Sequence, residues 1–132
     1  MSLQAVVLGS SGFIGNNLSN YLSKKNYKIL NFNSKNCNLM HEEAIKEAFS
    51  KINSDYSLII SSFITRSKED TLESMIMNIN MIKNLSKNIN IKFLKKIIFI
   101  SSVDVYGSNY KNKINENNKV NPFSYYGLSK FN

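Results

Sequence analysis

Apolar residues along this chain recur in two rhythms. Ala5-Val6-Val7-Leu8 is a short unbroken apolar run that stops at Gly9, the pattern of a strand buried on both faces. Ile14, Leu18, Tyr21 and Leu22 then return at helical spacing, and Lys24-Lys25-Asn26 closes that helix with positive charge at the negative end of its dipole. Lys28 to Phe32 reads as a second strand and Cys37 to Leu39 as a short third one. Ile45, Ala48, Phe49 and Ile52 mark another helix, with Glu42 and Glu43 in its first turn. Ser57 to Ser61 reads as a fourth strand. Leu72, Met75, Ile76, Ile79 and Ile82 define a long helix over residues 68–88, followed by a fifth strand at Ile97 to Ile100. The polar stretch from Ser108 to Asn121 reads as a loop, and Pro122 suits the first turn of a final helix over residues 122–132.

Strands that alternate with amphipathic helices pair in parallel, because each helix carries the chain back across the sheet. Right-handed crossovers then give a doubly wound α/β layer. A length of 132 residues and a hydrophobic fraction of 42% allow one packed domain. No apolar run reaches the roughly 18 residues that span a bilayer, and no basic segment precedes an apolar one at the N-terminus. The expectation is a cytoplasmic chain without a membrane partner. A lone Cys37 and a lone His41 leave no cluster for a metal site. The formal charge of +8 comes from scattered lysines and one arginine, Arg66, so solvated lysines are expected rather than a nucleic-acid surface. Arg66, Cys37 and His41 are read as solvated or incidental side chains.

Gly9-Ser10-Ser11-Gly12-Phe13-Ile14-Gly15 lies where the first strand hands over to the first helix, and it holds three of the chain's five glycines. A dinucleotide pyrophosphate sits at such a place. The first glycine permits a tight turn, the second lets backbone approach phosphate, and the third lets helix and strand pack closely, while the helix N-terminus offers free N–H groups. Near the other end of the chain, Tyr126 and Lys130 are four residues apart on the final helix and so share a face. An ammonium beside a phenol favours phenolate, which makes a proton-transfer pair.

The G-x-x-G-x-x-G spacing resembles the short-chain dehydrogenase/reductase superfamily, and further residues narrow the resemblance to its extended branch, the NAD(P)-dependent epimerase/dehydratase family. Gly12-Phe13-Ile14-Gly15 is similar to that branch's G-[FY]-I-G. Ile100-Ser101-Ser102-Val103-Asp104-Val105-Tyr106-Gly107 resembles its fifth strand ending in S-S-x-x-V-Y-G, and Tyr126-Gly127-Leu128-Ser129-Lys130 its Y-x-x-x-K. Glu116 and Pro122 fall on the family's E...P-x-x-x-Y spacing. The match runs from Val6 to Lys130. It implies a Rossmann-like three-layer α/β/α fold with strand order 3-2-1-4-5.

The resemblance also implies roles. Gly9, Ser11, Gly12, Phe13, Ile14 and Gly15 would hold a nicotinamide dinucleotide. The adenosine ribose is read at the end of the second strand, where Asn33, Ser34 and Lys35 stand. Asparagine does not repel a 2'-phosphate and Lys35 can pair with one, so NADP is favoured over NAD. Ser61 and Ser62 replace two alanines near the cofactor, and Asn78 matches an asparagine close to the proton relay. Tyr126 is implied as general acid/base, Lys130 as the group that lowers its pKa and holds the nicotinamide ribose, and Ser102 as a hydrogen-bond partner of the substrate. Val103 and Asp104 stand where family dehydratases place their eliminating acids, which disfavours dehydration. The implied activity is a nucleotide-sugar epimerase or ketoreductase, and the alternative is a non-catalytic dinucleotide-binding module. Family members run to well over twice this length, so residues 1–132 are read as the NAD(P)-binding part, without the C-terminal substrate-binding lobe. A second apolar stripe on the long helix implies a homodimer through the helices near 68–88 and 122–132.

Overall fold

The structure, a computed structural model, describes residues 4–108 and 113–131. Four parallel strands are present: β1 (Gln4–Leu8), β2 (Lys28–Phe32), β3 (Tyr56–Ile60) and β4 (Leu94–Phe99), in the order β2-β1-β3-β4. The helices are α1 (Phe13–Lys24), α2 (Glu42–Ser50), α3 (Leu72–Asn88) and α4 (Tyr125–Phe131), with short 3-10 turns at Ile91–Phe93 and Val103–Val105. Among the described residues, no helix is long and apolar enough to cross a membrane. The chain forms two compact units. One comprises the chain up to Phe63 together with Met81–Ile100, and the other comprises Ile64–Asn80 with the chain from Ser101 onward.

In the first unit every residue of β1 is buried, as its unbroken apolar run predicts. Alternation divides those residues between two layers. Ala5 and Val7, with Ile59 of β3, pack against Leu18 and Leu22 of α1. Val6 and Leu8 face the other way, with Leu58 and Ile60, toward Ile45 and Phe49 of α2 and Leu85 of α3. Asn26, at φ 61°, ends α1 in the left-handed region, and the Tyr27 N–H returns to the Leu22 carbonyl (3.2 Å), which satisfies an end-of-helix acceptor. β4 lies at the sheet edge, and its Ile97, Ile98 and Phe99 are exposed.

The doubly wound class holds, with one strand fewer than expected. Cys37 and Leu39 are buried in the core as alternate positions of a strand would be, but asparagines take the backbone groups that a ladder would need. Asn33 N–H donates to Asn36 Oδ1 (2.7 Å), Cys37 N–H to the Asn33 carbonyl (2.8 Å), and Met40 N–H to Asn38 Oδ1 (3.0 Å). Asn84 Nδ2 donates to the Leu39 and Met40 carbonyls (3.1 and 3.2 Å). Cys37 is therefore a core residue rather than a solvated one.

In the second unit, α3 starts at Leu72, four residues later than its periodicity predicts. Thr71 Oγ1 accepts from Ser74 N–H (3.1 Å) while Ser74 Oγ accepts from Thr71 N–H (3.0 Å), a reciprocal cap that fixes the start. α4 likewise starts at Tyr125, not Pro122. Ser124 caps it, with its Oγ accepting from Gly127 N–H at 2.9 Å.

Candidate active site

The glycine loop belongs to the first unit. Gly9 leaves β1 at φ +84°, a conformation that suits glycine, and its N–H donates to the Phe32 carbonyl at the end of β2 (2.9 Å). Ser10 adds two bonds to the same carbonyl, from its N–H and its Oγ (both 3.0 Å). The two strand ends are thus held together beneath the loop. A Cβ on Gly15 would lie 2.2 Å from the Gly9 carbonyl oxygen and 2.9 Å from Ser61 Oγ, so the third glycine is required for α1 to approach β1. Gly12 differs: its Cβ would meet only the Gly9 oxygen, at 3.3 Å. That open side faces outward, with Ser11, Gly12, Phe13 and Ile14 all exposed. α1 has no side-chain cap and no acidic residue in its first turn. A space that a Cβ would fill and a helix start without a capping side chain fit a bound phosphate.

Ser61 is the floor of this loop rather than a polar wall. Its Oγ donates to the Leu8 carbonyl (2.7 Å), and Ser62 beside it is half-buried. At the end of β2, Asn33 Oδ1 accepts from Lys35 N–H (2.9 Å). The turn leaves the Asn33 amide NH2 as a donor beside the exposed Ser34 and Lys35.

The second unit holds the remaining candidates. Tyr126 and Lys130 lie on one face of α4, with Lys130 Nζ 5.7 Å from the Tyr126 ring centroid. Lys130 is buried, and that burial brings its ammonium down to about 8. The Tyr126 phenol is not lowered as the spacing predicts. It is raised, first by burial and then by the Asp104 carboxylate. Ser102 Oγ accepts from Asp104 N–H (3.2 Å), which leaves its own O–H to donate. Ser102 opens onto a depression of about 420 Å³, with Val103 and Tyr106 also in its lining.

Asn78 is fully buried, and the structure gives it partners other than open space. Its Oδ1 accepts from Ile64 N–H (2.8 Å), and its Nδ2 donates to the Ile64 carbonyl (3.0 Å) and to Ser129 Oγ (3.3 Å). Ser129 Oγ donates in turn to the Tyr126 carbonyl (2.8 Å). Asn78 thus braces α4 through the residue next to Lys130.

Sequence reasoning overlooked Asp70, and it left Arg66 without a role. Asp70 Oδ1 accepts the Tyr126 backbone N–H (2.9 Å), and Arg66 pairs with both Asp70 and Asp104 (3.6 Å each). The available signal was that a chain rich in lysine uses arginine once.

A four-stranded parallel sheet with helices between its strands and a glycine loop after β1 is a Rossmann-like α/β fold. The chain matches the NAD dependent epimerase/dehydratase family over residues 5–132 and belongs to that family. No curated protein matches it. Among solved structures it resembles UDP-glucose 4-epimerase from Brucella ovis in complex with NAD, with TM-score 0.83, 20% identity, and coverage of 98% of this chain and 45% of that one. It also resembles dTDP-4-dehydrorhamnose reductase from Bacillus anthracis in complex with NADP, with TM-score 0.81, 18% identity, and coverage of 99% and 47%. A GDP-6-OMe-4-keto-L-xylo-heptose reductase from C. jejuni gives TM-score 0.79, 16% identity, and coverage of 98% and 40%. At these identities the likeness is one of fold. The chain spans less than half the length of these enzymes. The expected NAD(P) cofactor agrees with the family and with the cofactors bound in those structures.

Proposed function

We propose that this chain is the cofactor-binding and acid/base part of a cytoplasmic nucleotide-sugar ketoreductase or epimerase that prefers NADP. The observation that carries the reading is the placement of Tyr126 and a buried Lys130 on one face of α4, in the unit that also holds Ser102. Gly9, Gly12, Gly15 and the first turn of α1 would hold the pyrophosphate, and Asn33, Ser34 and Lys35 the adenosine end. When bound, the nicotinamide supplies hydride chemistry that no side chain can supply.

The residues of the chain handle the proton. A phenol raised above its ordinary value is protonated at neutral pH, so Tyr126 stands ready to donate from its Oη to a carbonyl oxygen that gains charge during reduction. Lys130, with an ammonium near 8, can return a proton to the phenolate without a large uphill step. Ser102 O–H orients the same oxygen. Val103 offers no proton, and Asp104 is engaged by Arg66 and by the Ser124 hydroxyl, which speaks against water elimination. The substrate class is a nucleotide-linked sugar, which carries a keto group in the ketoreductase reading. Leu72, Ile76 and Ile79 form an exposed row on α3, which supports a second copy as partner.

Calorimetric titration tests the cofactor reading. NADPH should bind more tightly than NADH, and Lys35→Ala should weaken NADPH about fivefold, the size of one exposed charge pair, while leaving NADH unchanged. Clear preference for NADH refutes the NADP assignment, and no binding of either refutes the site.

A further inference from the structure

We infer that Arg66 is a positioning residue for the Tyr126/Lys130 pair: it bridges Asp70 and Asp104 from the face of the Phe123 ring, fixing the first turn of α4 and keeping the Asp104 charge committed beside the phenol. The inference rests on the reading of Tyr126 as the acid/base group.

Of 17 basic residues in the chain, Arg66 is the one arginine. Its place needs what lysine lacks, a planar fork that reaches two carboxylates while stacking on an aromatic face. Nε lies 3.6 Å from Asp70 Oδ2, Nη1 lies 3.6 Å from Asp104 Oδ1, and the guanidinium carbon sits 4.8 Å from the Phe123 ring centroid. Each carboxylate has its second oxygen on the start of α4. Asp70 Oδ1 accepts the Tyr126 N–H (2.9 Å), and Asp104 Oδ2 accepts from the Oγ of Ser124, the capping residue (3.5 Å). All of these groups belong to the second unit.

The charged groups around Tyr126 are therefore Asp104 from the 3-10 turn, Asp70 from the segment before α3, Lys130 from α4 itself, and Arg66 between the two acids. After burial, the Asp104 carboxylate is what raises the phenol. A guanidinium on that carboxylate offsets part of its field, so the arginine also limits how far the acid/base group is driven from its working range.

The test titrates the Tyr126 phenol in the chain itself, by the tyrosinate absorbance difference between each protein and its Tyr126→Phe counterpart, together with hydrogen exchange at the Tyr126 amide. Arg66→Ala should move the midpoint upward by about one pH unit and speed the amide exchange about tenfold. Asp104→Asn alone should move the midpoint down, and added to Arg66→Ala it should cancel the rise. Arg66→Lys should restore the midpoint while the amide stays fast. An unchanged midpoint in Arg66→Ala, or a rise that Asp104→Asn does not cancel, overturns the inference. If Arg66→Ala fails to fold, Asp104→Asn decides, and a midpoint that does not fall overturns it. Neither readout uses nucleotide, so failure here leaves the cofactor reading intact, and failure of NADPH to bind leaves this result standing.

Discussion

Adding one methyl group at Gly15 and at Gly12 separates what the glycine loop does for the fold from what it does for a ligand. At Gly15 the new Cβ would sit 2.2 Å from the Gly9 oxygen, 2.8 Å from the Gly9 carbonyl carbon and 2.9 Å from Ser61 Oγ. Two of those atoms are backbone, so relief requires α1 to move away from the end of β1 by more than an ångström. Alanine inside a helix gains about 1 kcal/mol over glycine. Overpacking costs about 1–3 kcal/mol where side chains yield, and more where backbone must. The net expectation for Gly15→Ala is a loss of about 2 kcal/mol. At Gly12 the new Cβ meets one atom at 3.3 Å, and the backbone, at φ −78° and ψ 166°, is open to any residue. Losing glycine at the cap costs under about 1 kcal/mol, and lower entropy of the unfolded chain offsets about half of that. Urea unfolding followed by circular dichroism should therefore show Gly15→Ala clearly weakened and Gly12→Ala nearly unchanged. NADPH binding should fall at least tenfold in both, through distortion in the first and a methyl group in the phosphate space in the second. A Gly15→Ala protein as stable as the parent would refute the close approach, and undiminished binding by Gly12→Ala would show that the loop is only a turn.

Lys130 gives a pH signature. Its ammonium falls from 10.5 to about 8 on folding, so between those values the unfolded chain binds more protons and stability rises with pH. Above about pH 10 the sign reverses, because Tyr56, pushed up to about 12, and Tyr126 keep their protons only when folded. Lys130→Met should remove the rise above pH 8 and add up to about 3 kcal/mol of stability at pH 7; a pH-stability curve with its rise intact would contradict the assignment. In a full-length protein, Tyr126→Phe should keep NADPH affinity within about twofold while the proton-coupled reduction of a keto-sugar nucleotide falls by about a hundredfold or more, and turnover at the parent rate would remove Tyr126 from the chemistry.

What was legible in the sequence follows the physics that dominates each element. β1 is fixed by burial on both faces and the turn into α1 by Gly9 and Gly15, and both signals show in a short window of residues. Cys37 and Leu39 have the burial of a strand but not its ladder, since hydrogen bonds from Asn36, Asn38 and Asn84 compete for the same backbone, and periodicity does not register that competition. The start of α4 is set by Ser124 and by Asp70, 56 residues upstream of Tyr126, where Pro122 is the nearer cue. The Tyr126/Lys130 spacing reveals that the two share a face. It does not reveal that burial and Asp104 outweigh the ammonium in setting the phenol.

The exposed run of β4 bears on how the chain behaves in solution. Among the described residues, one side of β4 has no neighbouring strand, and an apolar strand at a sheet edge is a place where an extended segment can add. Lys95 and Lys96 stand directly before Ile97, Ile98 and Phe99, with Lys95 paired to Asp55 at 3.2 Å, so a second copy stacking in register would set the two Lys96 ammoniums against each other. Exposed lysines thus guard the edge at low ionic strength. Salt that shortens their reach to a few ångströms weakens that guard.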